Sequence, residues 1–309
     1  MSGTVFAIGG AEAKLRRRTV LRSFLEAAGG AESRLVIIPT ASSLGHEVVE
    51  VYQAVFGQLG AGNVDFVRPE SREEANDPAL VAKIDDATGI FMTGGNQLKL
   101  TSVITGTPVG DALLRAYERG AAVGGTSAGA SIVADHMIAF GGSGATPKQR
   151  MSQMAGGLGL IRDVVIDQHF QQRNRYGRLL SLVAQSPSLL GIGVDEDTAA
   201  IVREGHLLSV VGRGAVTIMD GRNIITNASS IHQSAPLLTS GVVLHVLPAG
   251  AEFDLTSRTL VQQQKNLSPD EQAEVDAANA DLAKLARDIK SEGANPTTYA
   301  RNKRRRGHR

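Results

Sequence analysis

No cysteine occurs among the 309 residues, which removes disulfides, thiolate metal sites and a cysteine nucleophile together. No apolar run reaches the ~18 residues that a membrane-crossing helix needs. The start of the chain lacks a basic region, a long apolar core and a cleavage site, because residues 4–8 go straight into a short apolar run ended by Gly9-Gly10. A cytoplasmic protein with no membrane partner is the expectation. Net charge is scarce as well: six of the last nine residues are Lys or Arg, so the formal +1 becomes −5 once they are set aside. That tail has no interleaved aromatics, and a solvated, disordered tail is expected in place of a nucleic-acid contact.

What the chain does have is a series of short β-branched apolar runs, at 4–8, 35–38, 64–67 and 89–92, separated by helix-length segments. Segments 19–28 and 47–59 end at Gly29-Gly30 and at Gly60, where a helix C-terminus favours glycine. Such alternation predicts an α/β fold with a mainly parallel, doubly wound sheet and a site beyond the carboxyl ends of its strands. Further strands are expected at 163–166 and 191–194, with a helix over 175–185 between them. From residue 199 the texture changes. Runs at 199–202 and 207–211 flank Glu204-Gly205-His206, and others follow at 215–219 and 242–247, which predicts an antiparallel extension of the sheet. Residues 140–160 are glycine-rich without a clear period and are expected to form an irregular loop near the site. Ser268-Pro269-Asp270-Glu271 reads as a helix start, opening a stripe of Val275, Ala278, Leu282, Leu285 and Ile289. The expected organisation is one α/β domain over 1–265, then a C-terminal helix and basic tail over 266–309.

The chemistry centres on Gly125-Thr126-Ser127-Ala128-Gly129, the G-x-S-x-G spacing of a nucleophile elbow. Small neighbours let strand and helix approach closely enough to project the serine outward, and a helix beginning over 130–134 would aim its amides at developing negative charge. An ordinary glycine-rich turn carries the same letters, so partners are needed. A serine requires a base and an acid that orients it. Of seven histidines, His169 follows the apolar run Val164-Val165-Ile166, where a parallel strand would end near the elbow. The acid comes from Asp195-Glu196-Asp197, at the end of another apolar run; spacing does not choose among the three. An oxyanion hole would draw on the backbone of Ala128 and on the glycine turn Thr93-Gly94-Gly95-Asn96-Gln97, with Gly95 as the second donor. The order serine, histidine, acid departs from that of α/β-hydrolases. Three arginines beside His169 (Arg173, Arg175 and Arg178) imply a substrate carrying carboxylates.

With Gly94 to Gln97, Gly124 to Ser131, Asp167 to Arg178 and Gly193 to Thr198 in this order, the chain resembles the cyanophycinases, which belong to the serine peptidase family that also holds the aspartyl dipeptidases. The resemblance covers about residues 3–262 and is carried most specifically by Asp167-Gln168-His169-Phe170 and its arginines. It implies a flavodoxin-like fold akin to class I glutamine amidotransferase domains, a homodimer, and no metal or organic cofactor. It implies an exopeptidase acting through an acyl-enzyme on cyanophycin, a poly-aspartate with arginine on each β-carboxylate, to release β-Asp-Arg. Ser127 is then the nucleophile, His169 the base and Glu196 the acid; Gln97, Asp167, Gln168, Arg173, Arg175 and Arg178 bind or frame the substrate. The rival readings are an α-aspartyl dipeptidase and a catalytically idle ligand-binding homologue. Cleavage of cyanophycin against cleavage of Asp-X dipeptides separates the first, and the intact serine, histidine and acid speak against the second.

Overall fold

Alternate residues of a strand face opposite sides of its sheet, and β1 (Val5–Ile8) sends Val5 and Ala7 into one apolar cluster and Phe6 and Ile8 into another. A chain with both faces apolar belongs in the middle of a covered sheet. The computed structural model describes residues 2–15, 17–232 and 234–261 and places β1 there. After it come α1 (Thr19–Ala27), β2 (Arg34–Ile38), α2 (Glu47–Leu59), β3 (Asn63–Phe66), α3 (Pro78–Asp85), β4 (Gly89–Met92), α4 (Gln97–Ile104), α5 (Pro108–Glu118), β5 (Ala122–Thr126) and α6 (Ala128–Ser131). Strands β1 to β5 pair in parallel in the order β3-β2-β4-β5-β1, the doubly wound core expected from the βαβ alternation. Helices α1 and α2 cover one face through Leu21, Phe24, Tyr52 and Phe56, which pack on Phe6 and Phe91.

The second half departs from a single extended sheet. β6 (Ala134–Gly141), β7 (Ser152–Gly156), β8 (Ile161–Gln168), α7 (Tyr176–Gln185) and β9 (Leu190–Val194) are followed by β10 (Thr198–Arg203), β11 (Leu207–Gly212), β12 (Ala215–Asp220), β13 (Ile225–Thr226), β14 (Thr239–Ser240), β15 (Val243–Pro248), β16 (Glu252–Asp254) and β17 (Thr259–Leu260). Strands β10, β11, β16 and β17 extend the first sheet antiparallel from β1. Strands β6, β7, β8, β9, β12 and β15 build a second, six-stranded sheet in the order β15-β12-β9-β8-β6-β7, with a parallel centre, and β13 pairs with β14 in a separate two-stranded sheet. The reason is core geometry: Ile166, Ile192 and Val194 share one apolar cluster with Val5, Val36, Ile90 and Met92, so the two sheets close on each other. The outer face of the second sheet is covered by α7 through Leu179, Leu182 and Val183.

Two local expectations are corrected. The segment 140–160 is not wholly irregular, because Gly141 ends β6 and 152–156 form β7, antiparallel to β6. Its glycines hid the alternation. The helix after the elbow spans only Ala128–Ser131, and the chain returns to strand at Ala134. The helix expected from Ser268 and the basic tail lie outside the described residues. Among the described residues no helix is long and apolar enough to cross a membrane.

Candidate active site

The elbow stands at the carboxyl end of β5, in the first sheet. Ser127 adopts φ 52° and ψ −108°, a conformation costing a non-glycine residue about 1–3 kcal/mol that persists only when its surroundings fix it. They do so here. The Ser127 amide donates to the Ile8 carbonyl at 2.9 Å, locking the turn onto β1. A Cβ at Gly129 would stand 2.4 Å from the Met92 carbonyl oxygen, so only glycine lets the turn pack this tightly on β4.

The histidine comes from the other sheet. His169 follows β8, and its amide donates to the Gly9 carbonyl at 2.7 Å across the junction of the sheets. Its Nε2 lies 2.9 Å from Ser127 Oγ and its Nδ1 2.7 Å from Glu196 Oε1. A carboxylate only accepts, so Nδ1 carries the proton and Nε2 presents its lone pair to the serine hydroxyl. The ring seat requires Gly10, at φ +99°: a Cβ there would fall 2.2 Å from Cε1 of His169. Burial pushes the imidazole below its ordinary pKa, the Glu196 hydrogen bond and charge pull it back up, and Arg173 and Arg175 push it down. The histidine is therefore neutral, as a base must be, at neutral pH.

The choice among three acids is geometric. Buried Asp195 accepts from the amides of Gln171 and Ala215 at 3.0 and 3.1 Å, tying the segment after His169 to β12. Asp197 accepts from the Ala13 amide at 2.8 Å and pins the loop after β1. Glu196 alone of the three reaches His169.

The expected substrate residues divide. Asp167 is 0% exposed and takes Arg178 bidentately, Nε to Oδ2 at 2.6 Å and Nη2 to Oδ1, while Arg175 Nη1 reaches Oδ1 at 3.2 Å and the Gln168 carbonyl at 2.6 Å. With Arg175 and Arg178 only 8% and 5% exposed, their guanidinium groups hold the site's walls together. Burial lowers the Arg175 pKa to about 10, against the pull of Asp167. Arg173 is exposed and has no side-chain partner among the described residues, so its fork is available to a ligand. Gln97, at the start of α4, donates its amide to the carbonyls of Ile138 and Ala139 at 3.0 and 2.7 Å, and Gln168 accepts from Ser131 at 2.8 Å. The glycine turn before α4 is a helix start capped by Asn96, which accepts from the amides of Leu98 and Lys99. It also lies against the serine. Gly94 is the residue beside Ser127, where a Cβ would stand 3.4 Å from the serine Cβ, whereas Gly95 backs onto the Ala41 carbonyl.

One buried group lay outside the motif reading. Glu12, two residues beyond Gly10, accepts from Tyr52 at 2.5 Å and Lys14 at 2.8 Å on Oε1, and from Thr126 at 2.5 Å on Oε2. It thus binds the residue just before the nucleophile to α2. Burial and the Glu12 charge hold the Tyr52 phenol well above its usual pKa, so it stays a donor. The signal available was position: Glu12 follows the end of β1, where sites of doubly wound sheets gather.

A serine relayed through histidine to a carboxylate, at the strand ends of an α/β fold, is the arrangement of serine-type hydrolases. The chain belongs to peptidase family S51, whose family model matches residues 5–210. It is 41% identical over 267 residues to the cyanophycinase of Nostoc sp., covering 85% of this chain and 89% of that protein. The cyanophycinase of Geminocystis herdmanii is 37% identical over 256 residues, covering 82% and 94%. Among solved structures, a peptidase from an acI-B1 Actinobacterium has the same fold, with a TM-score of 0.61 at 23% identity, over 82% of this chain and 97% of that one. The chain is thus a peptidase.

Proposed function

We propose that this peptidase cleaves cyanophycin and releases β-Asp-Arg dipeptides through an acyl-enzyme. The observation that carries the mechanism is the relay from Ser127 through His169 to Glu196, at 2.9 and 2.7 Å. Ser127 Oγ attacks the scissile carbonyl carbon as its proton passes to His169 Nε2, and Glu196 stabilises the imidazolium through Nδ1–H. The carbonyl oxygen becomes an oxyanion, met by the Ala128 amide at the N-terminus of α6 and by the glycine turn of Gly94 and Gly95. Collapse breaks the C–N bond, and the leaving amine takes the proton from Nε2. Water then attacks the ester by the same relay and restores the serine.

The cyanophycin assignment is supported by relatives of about 40% identity that carry that name and by the free guanidinium of Arg173 beside the base. Arg173 grips a substrate carboxylate, and Asp167, Arg175 and Arg178 frame that grip. Incubation with purified cyanophycin and mass spectrometry of the products tests it: β-Asp-Arg accumulates. An intact polymer, with rapid cleavage of Asp-X dipeptides, would assign the dipeptidase activity instead.

A further inference from the structure

A cavity of about 360 Å³, lined by none of Arg173, Arg175 and Arg178, opens between the loop after β1 and the first turns of α2, with Ser127, Gly94 and Thr126 in its wall. Its chemistry is two-signed. Lys14 contributes an ammonium whose place is set by Glu12 and by the Tyr52 ring, 5.1 Å away. Asp197 fixes the same loop one residue earlier, through the Ala13 amide. Glu12 itself is unavailable to a ligand cation, because both its oxygens are committed to Tyr52, Lys14 and Thr126. The carboxylate left over is Glu47, which lines the cavity, is exposed, and has no side-chain partner among the described residues. Leu44, Val48 and Val51 line the same cavity and give it an aliphatic wall.

We infer that this cavity is a specificity pocket for a substrate arm that ends in both a guanidinium and a carboxylate. Lys14 takes the carboxylate, Glu47 the guanidinium, and the aliphatic wall covers the methylene stem between them. The inference rests on the cyanophycin reading and adds a place for the arm. An arm lacking one of the two charges makes only one of the two charge-assisted contacts, which makes the pocket selective.

The test is equilibrium binding to the full chain, by calorimetry, of three probes: β-Asp-Arg, β-Asp-citrulline (neutral in place of the guanidinium) and β-Asp-agmatine (no arm carboxylate). Glu47→Gln weakens β-Asp-Arg about tenfold, the lower end for a charge-assisted contact, and leaves β-Asp-citrulline unchanged. Lys14→Met weakens β-Asp-Arg similarly and leaves β-Asp-agmatine unchanged, and Lys14→Arg restores binding. Unaltered affinities for all probes in both variants, or no binding of β-Asp-Arg to the parent, overturn the pocket. Unaltered affinities beside normal cyanophycin cleavage refute the pocket alone. The expected pattern of affinities without any cleavage refutes the cyanophycin reading alone.

Discussion

Replacing Asp167 by Asn keeps its shape and removes its charge, so the change reads the electrostatics of the cluster without opening a cavity. The wild-type carboxylate faces two guanidinium groups that are themselves nearly out of water, through contacts of 2.6 and 3.2 Å and the short Arg178 Nη2 bond. Removing the anion leaves both cations buried without a counter-charge, a loss of about 3–5 kcal/mol. At about 2–4 °C per kcal/mol for a domain of 150–250 residues, the unfolding midpoint falls by roughly 6–20 °C. Arg178→Met should cost less, because Asp167 keeps Arg175. Circular dichroism during heating gives the midpoints, and KM with kcat on cyanophycin gives the function of the folded fraction. A midpoint within a degree or two of wild type in Asp167→Asn would refute the electrostatic reasoning. A KM raised more than about tenfold in Arg178→Met at unchanged stability would show that Arg178 grips substrate and does not brace the wall.

Activity should rise with pH as His169 loses its proton, with a midpoint below the ordinary imidazole value because burial lowers it. Glu196→Gln removes the group that raises that pKa; a pH–rate profile should show a slower enzyme whose acidic limb lies still lower, with the fold kept. Asp195→Asn should lower the unfolding midpoint, since Asp195 bonds two backbone amides, and should leave the midpoint of the acidic limb in place. Gly10→Ala should displace the His169 ring and abolish turnover in a protein whose circular dichroism stays native; full activity would show that the imidazole need not sit where it does.

Local pattern carried far in this chain because strands such as Gly89–Met92 are short runs buried throughout, and helices such as Glu47–Leu59 bury residues at the helical period and stop at a glycine. The serine and histidine were legible because each ends an apolar strand. The acid was not legible from spacing: Asp195, Glu196 and Asp197 share one turn, and the partners of their carboxylates lie 20 to 184 positions away in sequence, which no local pattern encodes. The second sheet was hidden for a related reason. An apolar run such as 163–166 states that a strand is buried, but not in which sheet. Nor does sequence separate the roles of the arginines, since a guanidinium that binds a substrate carboxylate and one that binds buried Asp167 look alike there.

The most direct test of the central claim is the rate of β-Asp-Arg release from cyanophycin by purified wild type and Ser127→Ala, with circular dichroism confirming that both are folded. The account predicts steady release by wild type and only residual release by the variant, because oxyanion donors and substrate contacts remain without a nucleophile. Near-normal release by Ser127→Ala would contradict it.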